Sequence, residues 1–198
     1  MNETYSKLNP DQGRTLVKLA RLTLMEHFNR KCPDAWKSEL EKGLEDQALQ
    51  VRSGTFVTLK IGGQLRGCIG SLVGSESLAD GVRSNAINAA LHDPRFRRLT
   101  NKELDRVSIE VSVLTAPQPL EYSDPEDLIS KLRPGIDGVT IRKGMAGGTF
   151  LPQVWEQLPD PGSFLSHLCK KAGLPDDAWL AGDLKVEIYQ VQYFEEIH

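Results

Sequence analysis

The spacing of apolar residues changes at Gly54, dividing the chain into a helical beginning and a strand-rich remainder. Before that point Leu16, Leu19, Ala20, Thr23, Leu24 and Phe28 recur every three or four residues, which predicts one amphipathic helix running to about Asn29. Its start is written in Asn9-Pro10-Asp11-Gln12: Asn9 caps, Pro10 suits the first turn, and Gln12 reaches back to complete a capping box. A second, weaker helical pattern covers Trp36 to Leu49.

From Thr55 the period is two. Val57, Leu59 and Ile61 share one face of a strand, Gly62-Gly63 supplies the positive φ angles of a tight turn, and the chain returns over Gln64 to Ser71. On the return strand Leu65, Gly67 and Ile69 face one way and Arg66, Cys68 and Gly70 the other, so Arg66 and Cys68 are expected on a common surface, about 7 Å apart. Ser75 or Ser77 opens a helix carrying Leu78, Val82, Ala86, Ala89 and Ala90. It should stop near His92-Asp93, because Pro94 disfavours helical geometry before it.

Arg106 to Thr115 is the clearest strand, with Val107, Ile109, Val111 and Val113 on one face and Ser108, Glu110 and Ser112 on the other. A short helix follows from Asp124-Pro125 to Leu132, then a short strand, Val139 to Arg142, and a glycine-bearing loop with Gly144, Gly147 and Gly148. Pro152 marks a further helix start. Ser163 is placed to cap a helix closed by Gly173, and Leu184 to Val191 reads as the last strand. This order predicts an α+β fold, a mostly antiparallel sheet with packed helices rather than a doubly wound one. With no repeat or low-complexity linker, residues 1–198 read as a single domain.

Composition narrows the function classes. No run approaches the roughly 20 apolar residues of a membrane helix, and Met1 to Lys7 has no apolar signal core, so a cytoplasmic protein without membrane contact is expected. A net charge of −3 argues against nucleic acid as a partner. The cysteines Cys32, Cys68 and Cys169 are far apart, and His27, His92, His167 and His198 lack ligand spacing, so neither disulfide, metal nor cofactor is expected.

The chemistry concentrates on Cys68. A thiol between two glycines has little cover, and a neighbouring cation such as Arg66 stabilises a thiolate. Glu110, on the polar side of an otherwise apolar strand, is the acid–base candidate, with a salt bridge to Arg66 as the plainer alternative. Gly67, Gly70, Ser71, Asp93, Arg95 and Gln153 complete the expected binding surface, Gln153 because free N–H groups at a helix start can hold an anion.

Leu65-Arg66-Gly67-Cys68-Ile69-Gly70-Ser71 resembles the hallmark of the AMMECR-domain family, whose bacterial and archaeal members are called AmmeMemoRadiSam system protein A. Gly54 to Leu59, Asp93-Pro94-Arg95-Phe96, Ile109 to Leu114, Phe150 to Val154, and Lys171-Ala172-Gly173-Leu174 with Trp179 extend the likeness over almost the whole chain. The resemblance implies a larger and a smaller lobe with a cleft between them, and a Memo-like protein and a radical SAM enzyme as partners. It brings no established reaction. Two readings therefore stand: a thiol-dependent enzyme or accessory protein centred on Cys68, acting on a small molecule or protein group, or a non-catalytic adaptor using the Leu65 to Ser71 surface. A monomer or weak homodimer is expected.

Overall fold

The computed structural model describes residues 7–196. In chain order the elements are α1 (Pro10–His27), α2 (Asp34–Leu44), β1 (Thr55–Ile61), β2 (Gln64–Ser71), α3 (Leu78–Leu91), β3 (Val107–Leu114), β4 (Gln118–Pro119), α4 (Pro125–Lys131), β5 (Gly138–Lys143), β6 (Ala146–Phe150), α5 (Pro161–Lys171), β7 (Lys185–Tyr189) and β8 (Val191–Glu195). Two compact units result: one holds the chain up to Leu114 together with the residues from Gln192 on, the other spans Thr115–Val191. The α+β class with antiparallel pairing is the one the apolar pattern predicts. Among the described residues no helix is long and apolar enough to cross a membrane.

The first unit is a four-stranded sheet in the order β2-β1-β3-β8. Helix α3 packs on β1 and β2, α1 packs on β3 and α3, and α2 lies against α1. The core fills the helix-facing side with Val57, Leu59, Ile109 and Val111 from the strands and Leu16, Leu19, Ala20, Leu78, Val82 and Ala86 from the helices. The capping box at Asn9 and Gln12 forms as its spacing requires. At the other end α1 stops two residues before Asn29, which takes the left-handed conformation (φ 54°) that closes many helices. Arg21 ties α1 to the entry of β3 and to the residue after β8: its guanidinium donates to Glu196 and to the carbonyls of Leu104 and Val107. Strand β8 seats the Phe194 ring on Gly13 of α1, where a β-carbon would fall 2.0 Å from the ring.

The second unit has its own sheet, β4-β7-β5-β6, and its own core of Leu128, Val139, Ile141, Phe164, Leu165, Leu168 and Val186. Trp155 stacks on Phe164 at 3.7 Å between centroids, and its indole N–H donates to the Asp137 carbonyl.

Several boundaries differ from expectation. The pattern over Trp36 to Leu49 resolves into α2 and a separate 3-10 turn at Gln47–Leu49, capped by Asp46. Gly147 and Gly148 lie within β6, so the expected glycine loop is a tight β5–β6 hairpin with Gly144 at φ 59° in its turn. Asp160, not Ser163, caps α5, because Pro161 fills the first helical position and the Asp160 carboxylate accepts from the Ser163 N–H. The single strand expected over Leu184 to Val191 is two strands in two sheets, β7 and β8, broken at Gln190. The polar segment at Met1 to Ser6 and His198 lie outside the described residues.

Candidate functional site

A two-residue turn at Gly62-Gly63 would pair Leu59 with Arg66 and Val57 with Cys68, turning both hallmark side chains into the core. The structure does something else. Ile61 pairs with Gln64 and Lys60 with Leu65, but Leu59 then pairs with Gly67 and Thr58 with Cys68, so Arg66 is the extra residue of a bulge. The slip places Gly67 and Ile69 on the helix side and turns Cys68 to the opposite face. On that face three residues form one row across β2, β1 and β3: Cys68, Thr58 and Glu110.

Arg66 and Cys68 therefore do not share a surface, contrary to the simple alternation. The Arg66 guanidinium reaches Glu103 through two nitrogens, at 3.0 and 3.3 Å, and donates to the carbonyls of Arg97 at 2.8 Å and Arg98. This pairing and the Thr100 hydroxyl and N–H hold Glu103 well below its ordinary value of 4.5, at about 2. The cation that Cys68 meets is Arg95.

Strand β2 is an edge strand, and the backbone of Cys68 points off that edge. Its N–H donates to Asp93 Oδ2 at 2.8 Å and its carbonyl accepts from Arg95 Nη2 at 3.2 Å. Asp93 is buried and receives three further bonds from Arg95, one from its N–H and two from its guanidinium. The Arg95 side chain foremost, opposed by burial, then the Cys68 and Arg95 N–H groups hold the Asp93 carboxyl far below the usual carboxylate range. Asp93-Pro94-Arg95 is thus a clamp on the free edge at Cys68, the place where an unprotected strand would invite another chain.

The Cys68 side chain is partly exposed, and its sulfur accepts from the Thr58 hydroxyl at 3.2 Å. Cys169 is fully buried, with its thiol pushed up by burial. Cys32 is partly exposed with its sulfur near Met25. Thr58 was not anticipated as a site residue; its relation to Cys68 exists only in the slipped register.

Glu110 lies two strands from Cys68, about 9–10 Å at ordinary strand spacing, with Thr58 between. Its carboxylate accepts from Lys60 Nζ at 2.8 Å, and Lys60 also reaches Glu195 of β8 at 3.3 Å. The partner of Glu110 is therefore Lys60 and not Arg66, and Glu110 makes no direct contact with the thiol. Lys60 could have been found from the sequence, since it follows Thr58 by two on β1.

The glycines beside Cys68 are occupied spaces, not openings for a ligand. A β-carbon on Gly67 would lie 2.1 Å from the Ala89 carbonyl oxygen of α3, and one on Gly70 would lie 2.3 Å from the Phe56 ring. Ser71 closes a local turn by donating to the Val73 carbonyl. Gln153 is exposed in the second unit, in the first turn of a helix that does start at Pro152 but is a five-residue 3-10 turn, Pro152–Glu156, and not an α-helix. His92 is exposed and bonded to Asn88 of its own helix, and His167 to the Ser163 carbonyl. Among the described residues no group of three or more His, Cys, Asp or Glu is placed to hold a metal ion.

Comparison with known proteins places this geometry in a family. The AMMECR1 family profile matches residues 17–194. A protein of Methanothermobacter thermautotrophicus is 43% identical over 197 residues, covering 97% of this chain and 98% of its own. One of Thermofilum pendens is 41% identical, covering 96% and 92%. The crystal structure of the uncharacterized protein PH0010 from Pyrococcus horikoshii superimposes with a TM-score of 0.81 at 34% identity, over 98% of this chain and 95% of that one. The profile match over most of the chain, the identity to these relatives and the shared fold together show that the chain belongs to the AMMECR1 family.

Proposed function

We propose that Cys68 is the reactive group of this protein, acting through its sulfur on a small molecule or a protein group. In this reading the protein works in the cytoplasm with a Memo-like protein and a radical SAM enzyme. The supporting observation is the setting of the thiol: partly exposed, its sulfur accepting the Thr58 hydroxyl, and its backbone held at both N–H and carbonyl by Asp93 and Arg95. A nucleophile needs that fixed geometry, and the Thr58 hydroxyl holds the sulfur in one orientation. Glu110 has a different role here. Its ion pair with Lys60 leaves the proton transfer at sulfur to solvent or to the substrate.

The test is time-resolved alkylation with iodoacetamide, read by mass spectrometry at each cysteine of the native protein. Cys68 is expected to react fastest, Cys32 more slowly and Cys169 last. Modification of Cys68 at or below the rate of Cys32 would end the thiol reading.

A second reading, the adaptor, draws support from Leu65 near the start of the hallmark strand and Val73 two residues past its end, which stand 43% and 64% exposed. In that case Cys68→Ser leaves capture of the radical SAM enzyme and the Memo-like protein intact, while Leu65→Asp abolishes it.

A further inference from the structure

The second unit carries a groove of about 810 Å³ that lies apart from the hallmark strand in the chain and has no part in the thiol reading. That volume is in the range of small-molecule sites. Register sets its floor: Arg142 of β5 stands directly opposite Lys185 of β7. Like charges facing each other across two strands repel, and a protein ordinarily places an acid between them. Among the described residues neither side chain has an ion pair or hydrogen bond. The neighbouring Lys143, by contrast, is paired with Asp183 at 2.8 Å.

Two acids share the groove. Glu187 follows Lys185 by two residues on the same face of β7, and Glu121 lies two residues beyond Pro119, the register partner of Glu187. Neither is within ion-pair distance of a cation among the described residues. Their charge confines an anion to the Arg142–Lys185 end and leaves their own end to the donors of the same ligand.

The geometry points to a binding site for an oxyanion-bearing small molecule, its phosphate or carboxylate group bridging Arg142 and Lys185 in the groove of the second sheet. An anion there converts the repulsion between the two cations into two charge-assisted contacts, and Arg142 offers a planar fork suited to either group.

The experiment uses the full chain at low salt, with pyrophosphate and citrate as probes and NMR amide shifts as the readout. Saturable shifts are expected along β5 and β7, and Arg142→Gln and Lys185→Gln should each weaken binding about tenfold or more, as loss of a charged hydrogen bond does. Both side chains are exposed, so these variants keep the fold. Tighter pyrophosphate binding assigns a phosphate ligand and tighter citrate binding a carboxylate; either supports the site. Absence of saturable shifts with both probes, or equal binding by the double variant, overturns it.

Discussion

Replacing Gly67 with alanine puts a methyl carbon 2.1 Å from the Ala89 carbonyl oxygen and 3.1 Å from the carbonyl carbon behind it. Both partners are backbone, one in β2 and one in α3, so no side-chain rotation relieves the overlap. The sheet and the helix must separate by more than 1 Å at the point where α3 seats on the hallmark strand. Overpacking of this kind costs about 1–3 kcal/mol and occasionally more, and with backbone on both sides about 3 kcal/mol is the reasonable figure. For a chain of this size each kcal/mol lowers the melting temperature by about 2–4 °C, so Gly67→Ala should melt about 6–12 °C below the parent. Calorimetry resolves this, with Gly162→Ala as the control. There the nearest atom is Asp160 Oδ2 at 3.4 Å, an ordinary contact, and the position is helical. The control should melt at or slightly above the parent temperature. An unchanged midpoint for Gly67→Ala would mean that α3 does not rest on β2 at this glycine.

Asp93→Asn removes the charge that four N–H groups share, and its amide sets a donor against Arg95 or the Cys68 N–H. We expect a loss of about 2–3 kcal/mol in urea unfolding and faster hydrogen exchange at the Cys68 amide, and parental exchange there would refute the clamp. Glu103 predicts a pH dependence: its folded value lies near 2 against an ordinary 4.5, so its stabilisation is complete above about 4.5 and is lost as pH falls towards 2. Glu103→Gln should flatten the urea midpoint over that window, and profiles that stay parallel would contradict the Arg66 pairing. Arg21→Leu strands Glu196 and two carbonyls, for a cost of about 3 kcal/mol measured by denaturation; a loss under 1 kcal/mol would show the anchor to be idle.

What the sequence made legible was local chemistry. The Asn9–Gln12 capping box spans three residues and the Gly62-Gly63 turn two, so neighbours along the chain decide both. The face on which Cys68 lies depends instead on one register step. Simple alternation kept Arg66 and Cys68 together and assigned the arginine to the thiol. A signal for the slip was nevertheless present. In the straight register the buried Val57 and Leu59 would share a face with Cys68 and Arg66, leaving Gly67 and Ile69 on the face of Thr58, and a one-residue bulge sets Ile69 opposite Val57 and Gly67 opposite Leu59 instead. The burial of a guanidinium that the bulge avoids exceeds the few ladder contacts it gives up. Arg66, expelled from the ladder, ties down Glu103 and the carbonyls of Arg97 and Arg98. The same loop begins with Asp93 and Arg95, which return to the Cys68 backbone. The two motifs, 25 residues apart at that hydrogen bond, form one closed device: the first sends out an arginine to fix the loop, and the loop sends back an aspartate and an arginine to fix the cysteine. A conservative change at either end, such as Arg66→Lys, should therefore register at the other as a change in the alkylation rate of Cys68, although Arg66 never touches the sulfur.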